Sequence, residues 1–349
     1  MNSGRKINIR QVAASAGVSP ATVSRVLNGR AQVNPDLANR VLSVARELGY
    51  TSRFNQAAKD VVLIIPSLID TYYTYTSNGV IETAMEANYN VRVMLSNSDP
   101  AQEKECLLRA SASDTAGVII VPVSGKDPRT VSPLLEIIPI IVTGPRDVGK
   151  DLVHVGRDYD QSAYLCTRYL SRLGRRRIAI AIYSWSNTFH NYEQFIQRFN
   201  SSERGSYTAF DSFAGYCRAL SEVGLEPDSD LITFGGFSYE SGRSFINQLL
   251  SSGTDFDAII LPNDRCGAGA IHALIDQGFS VPEDVSIVCM DCGIVSTVIT
   301  PKLTSIASRD YEIGKLCMQQ LIKLIDGLPA ESILLDAELV IEDTTYKST

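Results

Sequence analysis

Residues 8–28, NIRQVAASAGVSPATVSRVLN, restrict the possible fold of this chain more than any other stretch. They predict two short helices separated by a tight turn. Asn8 can cap the first helix, and Gln11, three residues later, can reach back to the cap in an Asn/Gln form of the capping box. Gly17 is expected to end that helix, because glycine adopts the turn conformation that a side chain resists.

The second predicted helix has clearly different inner and outer faces. Ser19 can cap it, and Pro20 fits its first position, where a missing N–H costs nothing. Val23, Val26 and Leu27 are expected to face inward. The outer face then carries small or polar side chains around a single arginine: Ala21, Thr22, Ser24, Arg25 and Asn28. Such a face suits a DNA major groove, which admits a helix and offers arginine a guanine edge.

The first two helices could alternatively be surface helices of an ordinary bundle. A third predicted helix makes this alternative less favourable. Asn34 can cap this helix, and Pro35 can open it. Apolar residues then repeat at helical spacing: Leu37, Val41, Val44, Ala45 and Leu48. Three short helices with a glycine turn between the first two are typical of a helix-turn-helix unit.

The sequence over these helices resembles the DNA-binding head of the lactose-repressor (LacI/GalR) family. Positions 12–29 read V-A-x-x-A-G-V-S-x-x-T-V-S-R-V-L-N-G, and positions 40–50 read R-V-x-x-x-A-x-x-L-G-Y. The resemblance implies an all-α head over residues 1–50. It also implies two sets of DNA contacts, with bases read by Ala21, Thr22 and Arg25 and phosphates bound by Ser19, Ser24 and Asn34.

Basic residues are concentrated at the start of the chain. Residues 1–60 contain nine Lys or Arg against three acidic residues, a net charge of +6, which leaves −13 for the remainder of a chain whose total is −7. Attraction to phosphate is therefore expected to be local to the head. The acidic remainder is expected to repel nucleic acid and to bind a small, neutral partner.

Composition predicts a globular protein of the cytoplasm. The chain has 349 residues, 44% of them hydrophobic, which is enough for two or three cores. No apolar run approaches the length of a membrane helix, and the N-terminal sequence lacks a signal-peptide core. The seven cysteines are odd in number and scattered, which favours free thiols over a disulfide framework.

From residue 61 onward, short apolar runs alternate with helical stretches. The runs are VVLIIP (61–66), AGVIIVPV (116–123), IPIIVTG (138–144), LVHV (152–155), IAIAIY (178–183), LITF (231–234), DAIILP (257–262) and VSIVCM (285–290). Continuous Val/Ile runs between helices predict parallel sheets covered on both faces. Their number exceeds one sheet, so two α/β domains are expected. Ligands of such sheets bind beyond the carboxyl ends of the strands.

Looser matches extend the same resemblance over the body, among them V-L-I-I-P-S (62–67), F-D-A-I-I-L-P-N-D (256–264) and V-P-E-D-V-S-I-V-x-x-D (281–291). They imply a type I periplasmic-binding-protein fold of two Rossmann-like lobes joined by three crossovers. The expected effector-binding and dimerisation domain is 61–349, with lobe 1 about 61–157 plus 294–325 and lobe 2 about 158–293 plus 326–349. The effector is expected between the lobes.

Residues 51–60, TSRFNQAAKD, form the expected hinge between head and body. The family usually has a helix here whose Leu wedges into the minor groove, and this segment contains no Leu. Phe54 is the only large apolar residue available as a wedge, because Ala57 and Ala58 are too short. The resemblance therefore implies a hinge that grips the minor groove less than in relatives.

Three aspartates follow predicted strands. Asp264 and Asp291 come after the runs at 257–262 and 285–290, where two carboxylates would suit the hydroxyls of a polyol. Each could equally cap the following helix. The resemblance implies an effector contact, since both match effector-contacting aspartates of the family. Asp158, after LVHV, is a third candidate that could instead be structural at a crossover.

Aromatic residues also follow predicted strands. Tyr72 and Tyr73 stand where the family usually has an aromatic pair after Asn-Pro, and here Asp70-Thr71 replaces that dipeptide. A ring in this place can stack on a sugar or base, and the alternative is that it packs the start of a helix. Trp185, the only Trp, follows IAIAIY and is a similar candidate. The predicted effector site therefore includes Asp70, Tyr72, Tyr73 and Trp185.

The predicted ligand site departs from the family pattern. The family usually offers an Arg near the helix at 212–223, yet no Arg or Lys lies between Arg204 and Arg218. Arg204 could substitute, or it could be a solvated surface residue. Cys292 and Ser308 stand where Asp and Gln are frequent. Sugar specificity is therefore not assumed.

No motif for catalysis, for a metal or for a cofactor is present. The three histidines are far apart, and the Cys289–Cys292 pair has no helix start behind it to activate a thiolate. The sequence predicts an effector-responsive transcription regulator, most consistent with a repressor, that binds a pseudo-palindromic operator as a homodimer. The alternative is a small-molecule sensor or carrier without DNA contact, which the basic head disfavours.

Overall fold

A computed structural model describes residues 7–27, 35–48, 60–112, 114–144, 146–147, 151–183, 189, 191–201 and 206–346. Within these ranges, no helix has both the length and the apolar character that a membrane crossing requires. Contacts divide the chain into two units. Unit 1 comprises residues 1–156 and 310–333, and unit 2 comprises residues 157–309 and 334–349.

The head of unit 1 consists of helices α1 (Ile9–Ala16), α2 (Pro20–Leu27) and α3 (Pro35–Glu47). The predicted capping box is confirmed, because Asn8 Oδ1 accepts the Gln11 N–H at 3.1 Å and Gln11 Oε1 accepts the Asn8 N–H at 2.8 Å. Gly17 ends α1 with a φ of 66°, a left-handed conformation that favours glycine. The three helices bury a shared core: Val12, Ala13, Ala16, Val23, Val26, Val41, Leu42 and Ala45.

The body of unit 1 is a mainly parallel sheet. Its strands are β1 (Asp60–Ile65), β2 (Asn90–Leu95), β3 (Thr115–Ile120), β4 (Ile140–Thr143), β6 (Val153–Arg157) and β13 (Ile333–Leu335), in the order β13-β6-β4-β3-β1-β2, with a short β5 (Arg146–Asp147) outside it. Helices α4 (Thr71–Glu86), α5 (Pro100–Ser111) and α12 (Asp310–Ile325) cover the sheet, with two 3-10 turns at Pro128–Val131 and Pro133–Glu136. Strands β1 and β3 are buried along almost their whole length, as their continuous apolar runs predict.

Two glycines let α4 and α12 approach each other closely. A Cβ on Gly314 would lie 2.0 Å from the Thr76 carbonyl oxygen, and a Cβ on Gly79 would lie 2.1 Å from that of Tyr311. Any side chain at these positions would therefore force the two helix backbones apart.

Unit 2 contains the second sheet. Its strands are β7 (Ile178–Tyr183), β9 (Ile232–Gly235), β10 (Ala258–Leu261), β11 (Ser286–Cys289), β12 (Thr304–Ile306) and β14 (Leu339–Val340), in the order β14-β12-β11-β10-β7-β9, and β8 (Ser206–Tyr207) lies outside it. Its helices are α6 (Tyr159–Arg172), α7 (Tyr192–Phe199), α8 (Thr208–Ser221), α9 (Tyr239–Ser251), α10 (Asp264–Asp276) and α11 (Ile294–Val298), with a 3-10 turn at Ser229–Leu231. The strand pairs are parallel except β12 with β14.

Two α/β lobes joined by three crossings are confirmed, but the crossings differ from the expected positions. The chain passes between the units at 156/157, 309/310 and 333/334, whereas the sequence predicted the second and third near 293/294 and 325/326. The reason is strand pairing. Thr304 of β12 pairs with Val288 of β11, which keeps α11 and β12 in unit 2, and β13 extends the sheet of unit 1.

Candidate DNA-binding and ligand-binding sites

Helix α2 presents the outer face that its sequence predicts. Ser19 Oγ accepts the Thr22 N–H at 3.0 Å and lies 2.8 Å from Thr22 Oγ1, so Ser19 caps the helix. Val23 and Val26 point into the head core. The opposite face carries exposed Ala21 and Arg25 with half-exposed Thr22 and Ser24. A capped helix with short side chains beside one arginine can enter a major groove closely and pair with base edges.

In unit 1, the candidates after β1 mainly build the start of α4. Asp70 Oδ1 accepts the Tyr72 N–H at 3.0 Å and caps the helix. Tyr72 is buried, its hydroxyl lies 3.1 Å from Thr143 Oγ1, and its ring meets that of Tyr73 edge-on at 5.3 Å. Tyr72 therefore packs the start of α4, which was the alternative to stacking on a ligand. Tyr73 is half-buried and has more ring surface available.

In unit 2, one of the candidate aspartates caps a helix and another does not. Asp158 Oδ1 accepts the Gln161 N–H at 2.8 Å and caps α6, which agrees with the structural alternative for Asp158. Helix α10 is capped by Asn263, whose Oδ1 accepts the Cys266 N–H at 2.9 Å. The expectation that Asp264 could cap this helix is therefore wrong, because the preceding residue occupies the cap.

Asp264 instead holds the turn that begins α11. The side chain is buried, and its Oδ2 accepts the Gly293 N–H at 2.9 Å and the Ser296 N–H at 3.3 Å. These are amides of the first turn of a helix that has no side-chain cap of its own. Burial raises the pKa of the Asp264 carboxyl, and the backbone hydrogen bonds partly oppose this shift.

Asp291 is bound to a residue that sequence reasoning missed. Its Oδ1 lies 2.7 Å from Arg157 Nη1 and accepts the Cys292 N–H at 2.7 Å. The Arg157 side chain is only 7% exposed, and that of Asp291 is 20% exposed. Asp264 and Asp291 thus bind the successive amides of Gly293 and Cys292. The two carboxylates meet at one segment, as their positions at strand ends predict.

A stacked aromatic pair at the carboxyl ends of β7 and β9 was also missed. The rings of Tyr183 and Phe237 are nearly parallel, 21° apart, with centroids separated by 3.6 Å. Asn263 Nδ2 donates to the Phe237 carbonyl oxygen at 3.0 Å and ties this loop to the start of α10. Position directly at or after a strand was the signal that could have found Tyr183, Phe237 and Arg157.

Several predicted site residues lie outside the described residues. They are Asn28 and Asn34 of the head, Phe54, Ala57 and Ala58 of the hinge, and Trp185 and Arg204 of unit 2. Their proposed roles stay predictions from the sequence.

Two buried cysteines of unit 2, Cys266 and Cys289, are unsuited to nucleophilic chemistry. Burial raises the pKa of the Cys266 thiol to about 12 and that of Cys289 well above its ordinary value. All seven cysteines are free. Across the described ranges, no group of three or more His, Cys, Asp or Glu side chains is arranged to hold a metal ion.

Family models match nearly the whole chain. The model described as "Bacterial regulatory proteins, lacI family" matches residues 8–52, and that described as "Periplasmic binding proteins and sugar binding domain of LacI family" matches residues 58–342. The HTH-type transcriptional regulator RegA of Clostridium saccharobutylicum is 28% identical over 97% of this chain and 99% of its own length. Catabolite control protein A of Priestia megaterium is 29% identical, over 93% of this chain and 95% of its own.

Solved structures of similar architecture also align with almost the whole chain. The complex of the transcriptional regulator CelR with cellobiose has a TM-score of 0.69 at 25% identity, over 97% of this chain and 99% of that one. The lac repressor dimer bound to operator and the anti-inducer ONPF has a TM-score of 0.70 at 22% identity, over 98% of this chain and 100% of that one. At 22% identity, the second likeness supports the fold.

Proposed function

This chain belongs to the LacI family of bacterial regulatory proteins, and on that premise we propose that it represses transcription by binding a pseudo-palindromic operator as a homodimer. It is a DNA-binding transcription regulator with an effector-binding domain. The observation that carries the proposal is the outer face of α2, where Arg25 is exposed beside Ala21 and Thr22. Two copies of one head read two half-sites of opposite orientation, so a dimer requires a pseudo-palindrome.

The head makes two kinds of DNA contact: some side chains read the bases, and others position the helix on the phosphates. Arg25 donates two N–H groups to a guanine, while Ala21 and Thr22 sit close enough to the bases to exclude other edges. Ser19 and Ser24, with Asn28 and Asn34, fix the helix on the phosphates. The cap that Ser19 makes to Thr22 orients both hydroxyls at the start of α2.

The body binds a small polar effector that shifts the protein between states of different operator affinity. In unit 2, Trp185 and the ion pair of Asp291 with Arg157 are the proposed ligand contacts, and Tyr73 is the proposed contact in unit 1. Four other candidates instead support the local structure, because each forms a hydrogen bond within its own unit: Asp70, Tyr72, Asp158 and Asp264. No cofactor or membrane takes part, and the protein acts in the cytoplasm, where the bacterial chromosome lies.

Selection from random duplex DNA with the full-length protein tests the operator proposal. The expected product is an inverted repeat whose half-sites share one guanine, and sedimentation of the complex should give two chains per duplex. The matched control is Arg40→Ala, which removes an equally exposed charge from α3. A protein that enriches no sequence but is stabilised by small ligands would instead be a sensor without DNA contact.

A further inference from the structure

The Arg157–Asp291 pair places a guanidinium at a strand end where the family resemblance implied carboxylates. Arg157 is the last residue of β6, and its contact with Asp291 brings it to the carboxyl end of β11. Replacing a buried ion pair with apolar side chains is often neutral or stabilising, so fold stability alone does not account for such a pair. Its position coincides with the edge where parallel sheets bind ligands.

Asp291, which contacts this guanidinium, and Asp264, which binds the same segment of the chain, both already accept hydrogen bonds. Asp264 Oδ2 accepts two backbone N–H groups, and Asp291 Oδ1 accepts a backbone N–H and contacts Arg157 Nη1. Recognition of a neutral polyol by two carboxylates would have to displace these hydrogen bonds. Removing such partners from buried groups is costly.

Two more arginines follow the neighbouring strands of the same sheet. Arg265 comes after β10 and Arg309 comes after β12, and these strands flank β11 in the sheet order. Both arginines are half-buried. Because the strands are parallel, their carboxyl ends lie at one edge, and the segments that follow three consecutive strands each contain an arginine or contact one.

We propose that the effector carries an anionic group, a phosphate or a carboxylate, which Arg157 binds as its principal cationic contact at the carboxyl end of β11. The planar guanidinium matches the paired oxygens of either group, and the contact of Asp291 Oδ1 with Nη1 holds it in orientation. The inference rests on the proposed effector-binding function and names the ligand class of that site. It replaces the neutral ligand expected from the acidic charge of the body, because Arg157 places a guanidinium at this edge that the net charge does not reveal.

Ligand-induced thermal shifts of the full-length protein test the proposal with defined probes. Glucose 6-phosphate, gluconate and inorganic phosphate supply the two anionic chemistries, and glucose supplies the neutral reference. At least one anionic probe should raise Tm while glucose does not. A response to the phosphate compounds but not to gluconate would identify a phosphate ligand, and the reverse result would identify a carboxylate ligand. If no anionic probe stabilises the protein, or if glucose stabilises it as well as they do, the proposal is overturned.

Variants then assign the effect to Arg157. Arg157→Gln should lower the affinity for the anionic probe that raises Tm by at least about tenfold, because a charge-assisted contact is lost. Arg172→Gln removes the same charge from an exposed position on α6 and should leave the affinity unchanged. The double variant R157M/D291L guards against misfolding, because it leaves no buried charge unpaired, and it too should lose the response. Anion binding that survives in a folded Arg157 variant contradicts the assignment, whereas operator binding without ligand tests the regulator function separately.

Discussion

Arg157 Nη1 lies 2.7 Å from Asp291 Oδ1 and joins the first residue after a chain crossing to the end of strand β11. Any ligand that competes for either side chain therefore acts directly on a residue at the boundary between the units. The proposed effector site would be connected to a crossing by one ion pair, which would give a ligand a short physical route for altering the conformation of the chain. The same contact turns Asp291 from a free acceptor into an internal counter-ion.

Asp264 should stabilise the turn at the start of α11. Asp264→Ala leaves the amides of Gly293 and Ser296 without their acceptor and should lower the free energy of unfolding by about 1–3 kcal/mol. Urea unfolding measures this loss. Asp255→Ala, at an exposed position of the same unit, is the control and should change little.

The contribution of Asp264 should also depend on pH in a definite direction. Burial raises the folded-state pKa of its carboxyl above the ordinary 3.8. A raised folded-state pKa means that the folded protein holds the proton more tightly, so this contribution is fully present below the unfolded pKa and declines as pH rises through the folded pKa. The difference in unfolding free energy between the wild type and Asp264→Ala should therefore be larger near pH 4 than at pH 7, and a larger difference at pH 7 would contradict the assignment.

Arg25 should determine the identity of one base pair in each half-site. Arg25→Ala should cost about 1–3 kcal/mol per half-site and relax specificity at that base pair. Titrations over operators that differ by single base pairs measure the effect. A uniform loss over all variants would instead make Arg25 a phosphate contact, because phosphates carry no sequence information.

Gly314 should be intolerant of any side chain. Gly314→Ala places a Cβ 2.0 Å from the Thr76 carbonyl oxygen, so α4 and α12 must move apart. The expected loss of unfolding free energy is about 1–3 kcal/mol, measured by urea unfolding. Gln319→Ala, on an exposed position of α12, is the matched control and should be nearly neutral. An equally stable Gly314→Ala protein would refute the close packing.

Cys292 should be the first thiol to react in the native protein. Cys292 and Cys217 are the two half-buried cysteines, and burial raises the pKa of Cys217 to about 11, which suppresses its thiolate. Brief treatment with iodoacetamide followed by peptide mass spectrometry should find Cys292 modified ahead of Cys217. The buried thiols, Cys106, Cys166, Cys266, Cys289 and Cys317, should react only on unfolding.

Local sequence signals predicted the head and the strands well because their causes are local. The Asn8–Gln11 capping box and the turn at Gly17 depend on residues within three or four positions of each other, and both are present. The apolar run at 61–66 corresponds to β1 within one residue at each end. Such features follow from propensity and periodicity without knowledge of distant partners.

The candidate ligand site was less predictable because its contacts join distant parts of the chain. Sequence position correctly placed Asp264 and Asp291 after strands, but it could not show that Gly293 and Ser296 donate to Asp264. Arg157 was overlooked since it belongs to the strand that precedes the expected candidate Asp158. Its partner lies 134 residues further along the chain, after a strand of the other sheet, and only the tertiary fold brings the two side chains together.

The hinge should distinguish this regulator from relatives that bend their operators strongly. Residues 51–60 contain no Leu, and Phe54 is the only large apolar side chain that could insert between base steps. With little intercalation, much of the affinity must come from phosphate and major-groove contacts, so it should fall steeply with salt. A circular-permutation gel assay on the selected operator should therefore report only a weak bend. Phe54→Ala should reduce even that bend, whereas Ala57→Gly should not, and a sharp central kink that Phe54→Ala leaves intact would show that another part of the chain bends the DNA.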